Sequence, residues 1–182
     1  MHPKKGTIYR KLENKFVGLL LPPKYSPMAT TLHEGQQAPA FTGKDQDGNT
    51  VSLHDFTGKK VVLYFYPKDD TPGCTAQACN LRDNYTALIK SGFVVIGVSA
   101  DDIKSHKKFE KKFNLPFPLI ADEDQVIVNE YGVWGEKQMF GKKYMGIIRT
   151  TFLIDENGII KKIIDKPDTE NHTQQVLEAW NA

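Results

Sequence analysis

Cysteine is scarce in this chain, with only Cys74 and Cys79 among 182 residues. So small a number excludes a disulfide scaffold. None of the five histidines lies close to the pair in sequence, so a structural zinc site is excluded too. No run of 18 apolar residues occurs, and no membrane-spanning helix is expected. The net charge of +2 is too small to argue for a nucleic-acid partner. The ten prolines and 14 glycines are scattered, which excludes collagen-like and low-complexity classes, and no internal repeat is visible. What remains is ordinary globular composition, 40% hydrophobic and 25% charged, long enough for one full-sized domain and too short for two.

The charge is uneven. Residues 1–27 hold six basic side chains (Lys4, Lys5, Arg10, Lys11, Lys15, Lys24) and one acid, Glu13, a local charge of +5. The other 18 basic and 21 acidic residues leave −3 on the body. The single apolar stretch of the extension, Phe16 to Leu21, contains Gly18 and stops at Pro22 and Pro23. It is at or below the roughly 7-residue lower limit of a secretory core. Basic and nearly acid-free composition fits a transit peptide; the low serine content counts against one. A tail outside the fold, or an upstream start with Met28 the functional one, are the other readings. The expected organisation is a basic extension over 1–31 and one domain over 32–182.

The body alternates strands and helices. Val61–Tyr66 is a continuous β-branched and aromatic run ended by Pro67, the pattern of a strand buried on both faces. Phe93–Ser99, Thr151–Ile154 and Ile159–Ile164 read as further strands, the last two joined by a hairpin at Asp155-Glu156-Asn157-Gly158. Helical spacing of Ala78, Leu81, Tyr85, Leu88 and Ile89 predicts one helix over Cys74–Ser91, closed by Gly92. A second fits 103–113, with Ile103, Phe109 and Phe113 inward and a lysine-rich solvated face. A third fits 170–181, with Val176, Leu177 and Trp180 inward. This order predicts an α/β fold, a central mixed β-sheet flanked by helices on both sides.

One turn concentrates the chemistry. Pro67-Lys68-Asp69-Asp70-Thr71-Pro72-Gly73-Cys74 joins a buried strand to a helix, and reactive groups favour that end of such strands. Thr71 suits the N-cap and Pro72 the first helical position, which puts Cys74 at N3. A thiolate there meets unpaired backbone N–H groups and the positive helix end. Lowering a thiol pKa from about 8.5 to about 6 raises the thiolate fraction near pH 7 only about 30-fold, so fast chemistry needs further donors aimed at developing charge. The alternative is that Cys74 is a small buried hydrophobe. Cys79 follows in the same helix. On an ideal helix the two Cα atoms stand about 8.6 Å and about 140° apart, beyond the roughly 4.4–6.8 Å of a disulfide. The pair can bond only if the helix unwinds, and a buried, partnerless Cys79 is equally consistent with the spacing.

Tyr64-Phe65-Tyr66-Pro67-Lys68-Asp69-Asp70-Thr71-Pro72-Gly73-Cys74-Thr75, with Cys79 following, resembles a peroxiredoxin of the Q type, the bacterioferritin comigratory protein subfamily. Ala38-Pro39-Ala40-Phe41, Tyr131-Gly132-Val133-Trp134-Gly135-Glu136-Lys137, Ile148-Arg149-Thr150-Thr151-Phe152-Leu153-Ile154-Asp155 and Asn171-His172 resemble other segments of that subfamily. The likeness runs from about residue 32 to 181. It implies a thioredoxin-like fold and a thiol peroxidase acting on hydrogen peroxide and organic hydroperoxides, without cofactor or metal. By resemblance Cys74 is the peroxidatic cysteine, Thr71 and Arg149 its polar partners, and Cys79 the resolving cysteine. Cys79 would form an intramolecular disulfide reduced by thioredoxin or a similar dithiol. A cytoplasmic monomer is implied, with no nucleic-acid or membrane partner. Trp134, Glu136 and His172 match subfamily positions without an assigned chemistry; for Trp134 and His172 packing is expected. Two other classes fit part of the pattern. A disulfide oxidoreductase would normally carry Cys-x-x-Cys and leaves Arg149 without a task. A non-enzymatic binding or chaperone protein would show a large exposed apolar patch.

Overall fold

The computed structural model describes residues 30–182, and the sequence features of 1–29 lie outside the described residues. In chain order the elements are β1 (Thr42–Lys44), β2 (Thr50–Ser52), a 3-10 turn (Leu53–Phe56), β3 (Lys60–Phe65), α1 (Pro72–Asp83), α2 (Tyr85–Lys90), β4 (Phe93–Ser99) and α3 (Ile103–Phe113). They continue with β5 (Leu119–Ala121), α4 (Val126–Glu130), β6 (Trp134–Met139), β7 (Lys142–Ile147), β8 (Thr150–Ile154), β9 (Ile160–Ile164) and α5 (His172–Asn181). Seven strands form one mixed sheet in the order β2-β1-β5-β4-β3-β8-β9, with β3, β4 and β5 parallel and β8 and β9 antiparallel to their neighbours. β6 and β7 form a separate hairpin.

The unbroken apolar run of β3 explains its central place. Val61, Leu63 and Phe65 face one core, with Ile96, Val98, Phe152 and Tyr131; Val62, Tyr64 and Tyr66 face the other, with Val95, Leu153 and Phe109. Period-two alternation thus gives both faces apolar cover, each buried Val, Leu, Ile or Phe contributing about 1.5–3 kcal/mol of transfer free energy. α1, α2, α3 and α5 cover the second face through Ala78, Leu81, Leu88, Phe109 and Val176. On the first face, among the described residues, helical cover comes from α4, through Ile127 and Val128, and from the 3-10 turn, through Leu53 and Phe56, and the β6–β7 hairpin adds Ile147. The expected mixed sheet with helices on both sides is present, the helices unevenly shared.

The expected single helix over Cys74–Ser91 is two helices. Asn84 (φ −105, ψ 11) breaks it, and its side-chain amide donates back to the Asn80 carbonyl at 2.8 Å. This is the local competition by which asparagine interrupts helices. Gly92 does follow the second piece, at φ +83. Gly97 answers a different need. A Cβ there would stand 2.8 Å from Leu119 Cδ2 and 2.9 Å from Tyr64 Cζ, so β4 passes these side chains only as glycine. Thr30, the first described residue, already bonds the core through Oγ1 donating to the Tyr131 carbonyl at 2.6 Å. Among the described residues no helix is long and apolar enough to cross a membrane.

Candidate active site

β3 delivers the chain to the 67–74 turn at the C-terminal edge of the parallel strands. The turn is tied down by Asp69, which is buried. Its Oδ1 accepts from the Tyr66 hydroxyl at 2.8 Å and its Oδ2 from the Ser105 hydroxyl at 2.8 Å. His106 Nδ1 lies 2.8 Å from the same Oδ2, and His106 Nε2 lies 3.1 Å from the Ile120 carbonyl oxygen. The Asp69 amide donates to Asp101 Oδ2 at 2.9 Å. Two strand ends and α3 thus hold the residue that starts the turn. Sequence reasoning missed this network. The available signal was His106 itself, three residues from both Ile103 and Phe109 on the apolar face of α3.

From there Thr71 takes the N-cap position and Pro72 N1, which places Cys74 at N3 as the spacing predicts. The Thr71 side chain does not cap. Its hydroxyl donates to the Lys68 carbonyl at 3.0 Å, and no side-chain hydrogen bond caps α1. The hydroxyl oxygen keeps its acceptor capacity. Cys74 is 1% exposed and sits in an apolar cluster with Tyr64, Tyr66, Ala78 and Leu81. It is therefore packed like a core residue, yet it has a charged partner, Arg149 Nη2, 3.3 Å from its sulfur. A Cβ on Gly73 would also stand 3.3 Å from that nitrogen, so the guanidinium lies over the first turn of α1. The sulfur thus has a positive charge beside it at the N-terminal turn of α1.

Arg149 is held from its other side. Nη1 donates to Gln77 Oε1 at 2.5 Å, and Gln77, one turn after Cys74, is fully buried. Among the described residues the Gln77 amide nitrogen has no hydrogen-bond partner. The sequence does not single out Gln77, since nothing in spacing distinguishes a buried glutamine from a solvated one. Lys137 is a second unpredicted neighbour. From β6 its ammonium donates to the Ile147 carbonyl at 3.0 Å, and burial, then the Arg149 charge, hold its pKa below the ordinary lysine value, with Cys74 opposing. Lys137 and Arg149 line one open cleft of about 500 Å³ with Glu136, Ile148, Asp165, Lys166 and Pro167. Arg149 borders solvent through this cleft. Tyr64 Oη, buried in the same cluster as Cys74, has no hydrogen-bond partner among the described residues; burial first, then the charges of Cys74 and Asp69, push its pKa far above the ordinary phenol value.

Cys79 is half-buried, and both cysteines are free. Both belong to α1, which is intact between them. His172 is buried at the start of α5, with Nε2 3.0 Å from Thr151 Oγ1 and Nδ1 3.0 Å from Gln175 Oε1. That is a packing and anchoring place, as expected. Trp134 packs against the first core. Glu136 is exposed and pairs with Lys143 at 2.9 Å. Among the described residues no three histidine, cysteine or carboxylate side chains could together hold a metal ion.

Residues 34–163 match the AhpC/TSA family. The chain is 49% identical over 146 residues to peroxiredoxin Bcp of Escherichia coli strain K12, covering 80% of this chain and 94% of that protein. Among solved structures it is similar to the Xanthomonas campestris bacterioferritin comigratory protein, a protein with alkyl peroxide reduction activity (TM-score 0.72, 34% identity, 78% of this chain and 90% of that one). It is also similar to a cysteine-to-serine mutant of Xylella fastidiosa PrxQ (TM-score 0.78, 29% identity, 84% and 98%). The buried cysteine at a helix start, the arginine on its sulfur and these matches agree: the chain belongs to the AhpC/TSA family and, within it, to the Bcp/Q-type peroxiredoxins, thiol peroxidases of thioredoxin-like fold.

Proposed function

We propose that this chain reduces hydrogen peroxide and organic hydroperoxides through Cys74, resolves the product with Cys79, and is recycled by thioredoxin or a similar dithiol. The Cys74 thiolate attacks the terminal peroxide oxygen. The S–O bond forms as the O–O bond breaks, and the departing oxygen takes a proton to leave as water or alcohol. Arg149, with one nitrogen on the sulfur, stabilises the charge that shifts from sulfur to the leaving oxygen, and Thr71 Oγ1 is the neighbouring hydroxyl of the turn. The Cys79 thiol then condenses with the sulfenic acid, expelling water and forming the disulfide. Exchange with an external dithiol returns both thiols.

The observation that carries this reading is the 3.3 Å contact of Arg149 Nη2 with Cys74 Sγ at the first turn of α1. It gives Arg149 a task that a plain dithiol oxidoreductase would not need. The alkyl peroxide reduction activity of the Xanthomonas relative supports organic hydroperoxides as substrates. Both cysteines lie in one helix, which supports a cycle completed within a single copy working as a monomer. Recycling by a dithiol suits a reducing compartment such as the cytoplasm.

The test is NADPH-coupled consumption of hydrogen peroxide and cumene hydroperoxide with thioredoxin and its reductase, beside insulin reduction. Peroxide turnover without insulin reduction is expected. Insulin reduction without peroxide turnover overturns the reading.

A further inference from the structure

Asn80, the residue after Cys79, joins α1 to α5 in three ways. Its Oδ1 accepts from the Thr173 amide at 2.8 Å, its Nδ2 donates to the Glu170 carbonyl at 2.6 Å, and its own carbonyl accepts from Thr173 Oγ1 at 3.2 Å. Thr173 lies in the first turn of α5, where backbone N–H groups lack intrahelical partners. The residue at the α5 N-cap, Asn171, makes no capping bond there; its amide is turned to Asp168 Oδ2. Asn80 therefore caps α5 from another helix. That helix start is itself fixed to the sheet, through His172 Nε2 and Thr151 Oγ1 of β8.

The opposite end of the reactive segment is anchored as firmly. Asp69 is held by Tyr66, Ser105, His106 and Asp101. Between the two anchors the ties are few. Asp70 pairs with Lys112 at the surface, Thr71 bonds the adjacent Lys68 carbonyl, and Cys74 and Gln77 accept from Arg149. Disulfide formation must break the helix between Cys74 and Cys79, because on an intact helix their Cα atoms are about 8.6 Å apart. The hydrogen-bond pattern divides that motion unequally. Residues 70–78 are held by the packing of Cys74, Gln77 and Ala78 and by Arg149, whereas Cys79 is one residue from a triple hydrogen-bond anchor between two helices.

We propose that Asn80 is the positioning residue of the resolving step: it holds Cys79 still through α5, so that Cys74 travels to a stationary partner and unwinding stops at residue 79. This rests on the assignment of Cys79 as the resolving cysteine. Asn80 touches neither sulfur in this role. A fixed target raises the effective concentration of the Cys79 thiol at the sulfenic acid. A fixed boundary also keeps the fully buried Leu81 in the core while the preceding turns open.

Asn80→Ala removes the cap while keeping a good helix former, and Asn80→Asp keeps the acceptor for Thr173 but loses the donor to Glu170. Stopped-flow fluorescence separates the peroxide-dependent oxidation from the first-order disulfide step, and hydrogen exchange maps the oxidised form. For Asn80→Ala the second-order oxidation should stay within about 2-fold of wild type, since Arg149 and Gln77 are untouched. The first-order step should slow about 10-fold, the scale of a lost N-cap, with Asn80→Asp in between. In its disulfide form Asn80→Ala should lose exchange protection beyond residue 80 and into the first turn of α5, where the wild type keeps it. A merely structural role would lower stability without dividing the two phases. An unchanged or faster first-order step, or an unmoved exchange boundary, overturns the inference. A wild type that forms no Cys74–Cys79 bond overturns the resolving assignment along with it.

Discussion

Arg149, the residue before β8, places Nη2 3.3 Å from the sulfur of Cys74, 75 residues away in the chain, while its Nη1 is engaged by Gln77. The guanidinium is thus used at both ends. Gln77 sets its angle, Cys74 receives its charge, and the strand pairing of β8 with β3 brings the two together. A point charge could not satisfy both partners.

Arg149→Lys should therefore fail to restore what Arg149→Ala loses. Each substitution is expected to lower the second-order rate with peroxide by about 10-fold or more, the scale of a removed electrostatic donor. Gln77→Leu should give a smaller loss in the same step, because the charge remains and only its aim is relaxed. Stopped-flow oxidation at varied peroxide concentration checks all three, and a lysine variant equal to wild type would show that charge alone matters.

Cys79→Ser should consume about one equivalent of peroxide and then stop, its Cys74 trapped as sulfenic acid or carried on to sulfinic acid. Intact mass after peroxide treatment should show added oxygen. Wild-type turnover with thioredoxin in this variant would remove Cys79 from the cycle.

Burial holds the His172 imidazole neutral, with its pKa pushed from 6.5 down to about 4. The geometry agrees, since one neutral tautomer donates from Nδ1 to Gln175 Oε1 and accepts at Nε2 from the Thr151 hydroxyl. The unfolded chain binds this proton more readily than the folded one. The contribution is therefore complete above pH 6.5 and is lost as pH falls toward 4, at most about 3 kcal/mol. The stability gap between wild type and His172→Asn in urea should narrow by about 2 kcal/mol from pH 7 to pH 5. A gap that stays constant across this range contradicts it.

Gly97→Ala should destabilise by about 1–3 kcal/mol through overpacking. The new methyl would sit 2.9 Å from the Tyr64 ring, which is fully buried between β3 and the helices and has nowhere to move. Thermal melting of the variant measures it, and an unchanged midpoint would show that β4 can shift.

Sequence made the long buried elements legible. Val61–Tyr66 and Phe93–Ser99 have no polar residue to mislead the reading except a terminal serine, and α3 follows its apolar spacing to the residue. Short elements were not legible. β1, β2 and β5 are three residues each, too few for a period to register, and α4 has five. The β6–β7 hairpin turns at Phe140 and Gly141, both at positive φ (49 and 75), a conformation unexpected for phenylalanine. At the site, Cys74 was legible because helix-start chemistry is local: cap, proline and cysteine lie within four residues. Gln77, Lys137 and the Asp69–His106 contact were not, because each depends on a partner brought near by the sheet rather than by the chain.

The most direct test of the account is stopped-flow reaction of the reduced protein with hydrogen peroxide, comparing wild type with Cys74→Ser and following with intact mass and peptide mapping. The account predicts saturable-free, second-order oxidation in the wild type, a mass lower by about two hydrogens and a single peptide joining Cys74 to Cys79. It predicts no reaction in Cys74→Ser. Peroxide consumption that survives Cys74→Ser, or a wild type whose Cys74 remains a thiol while peroxide disappears, would contradict it.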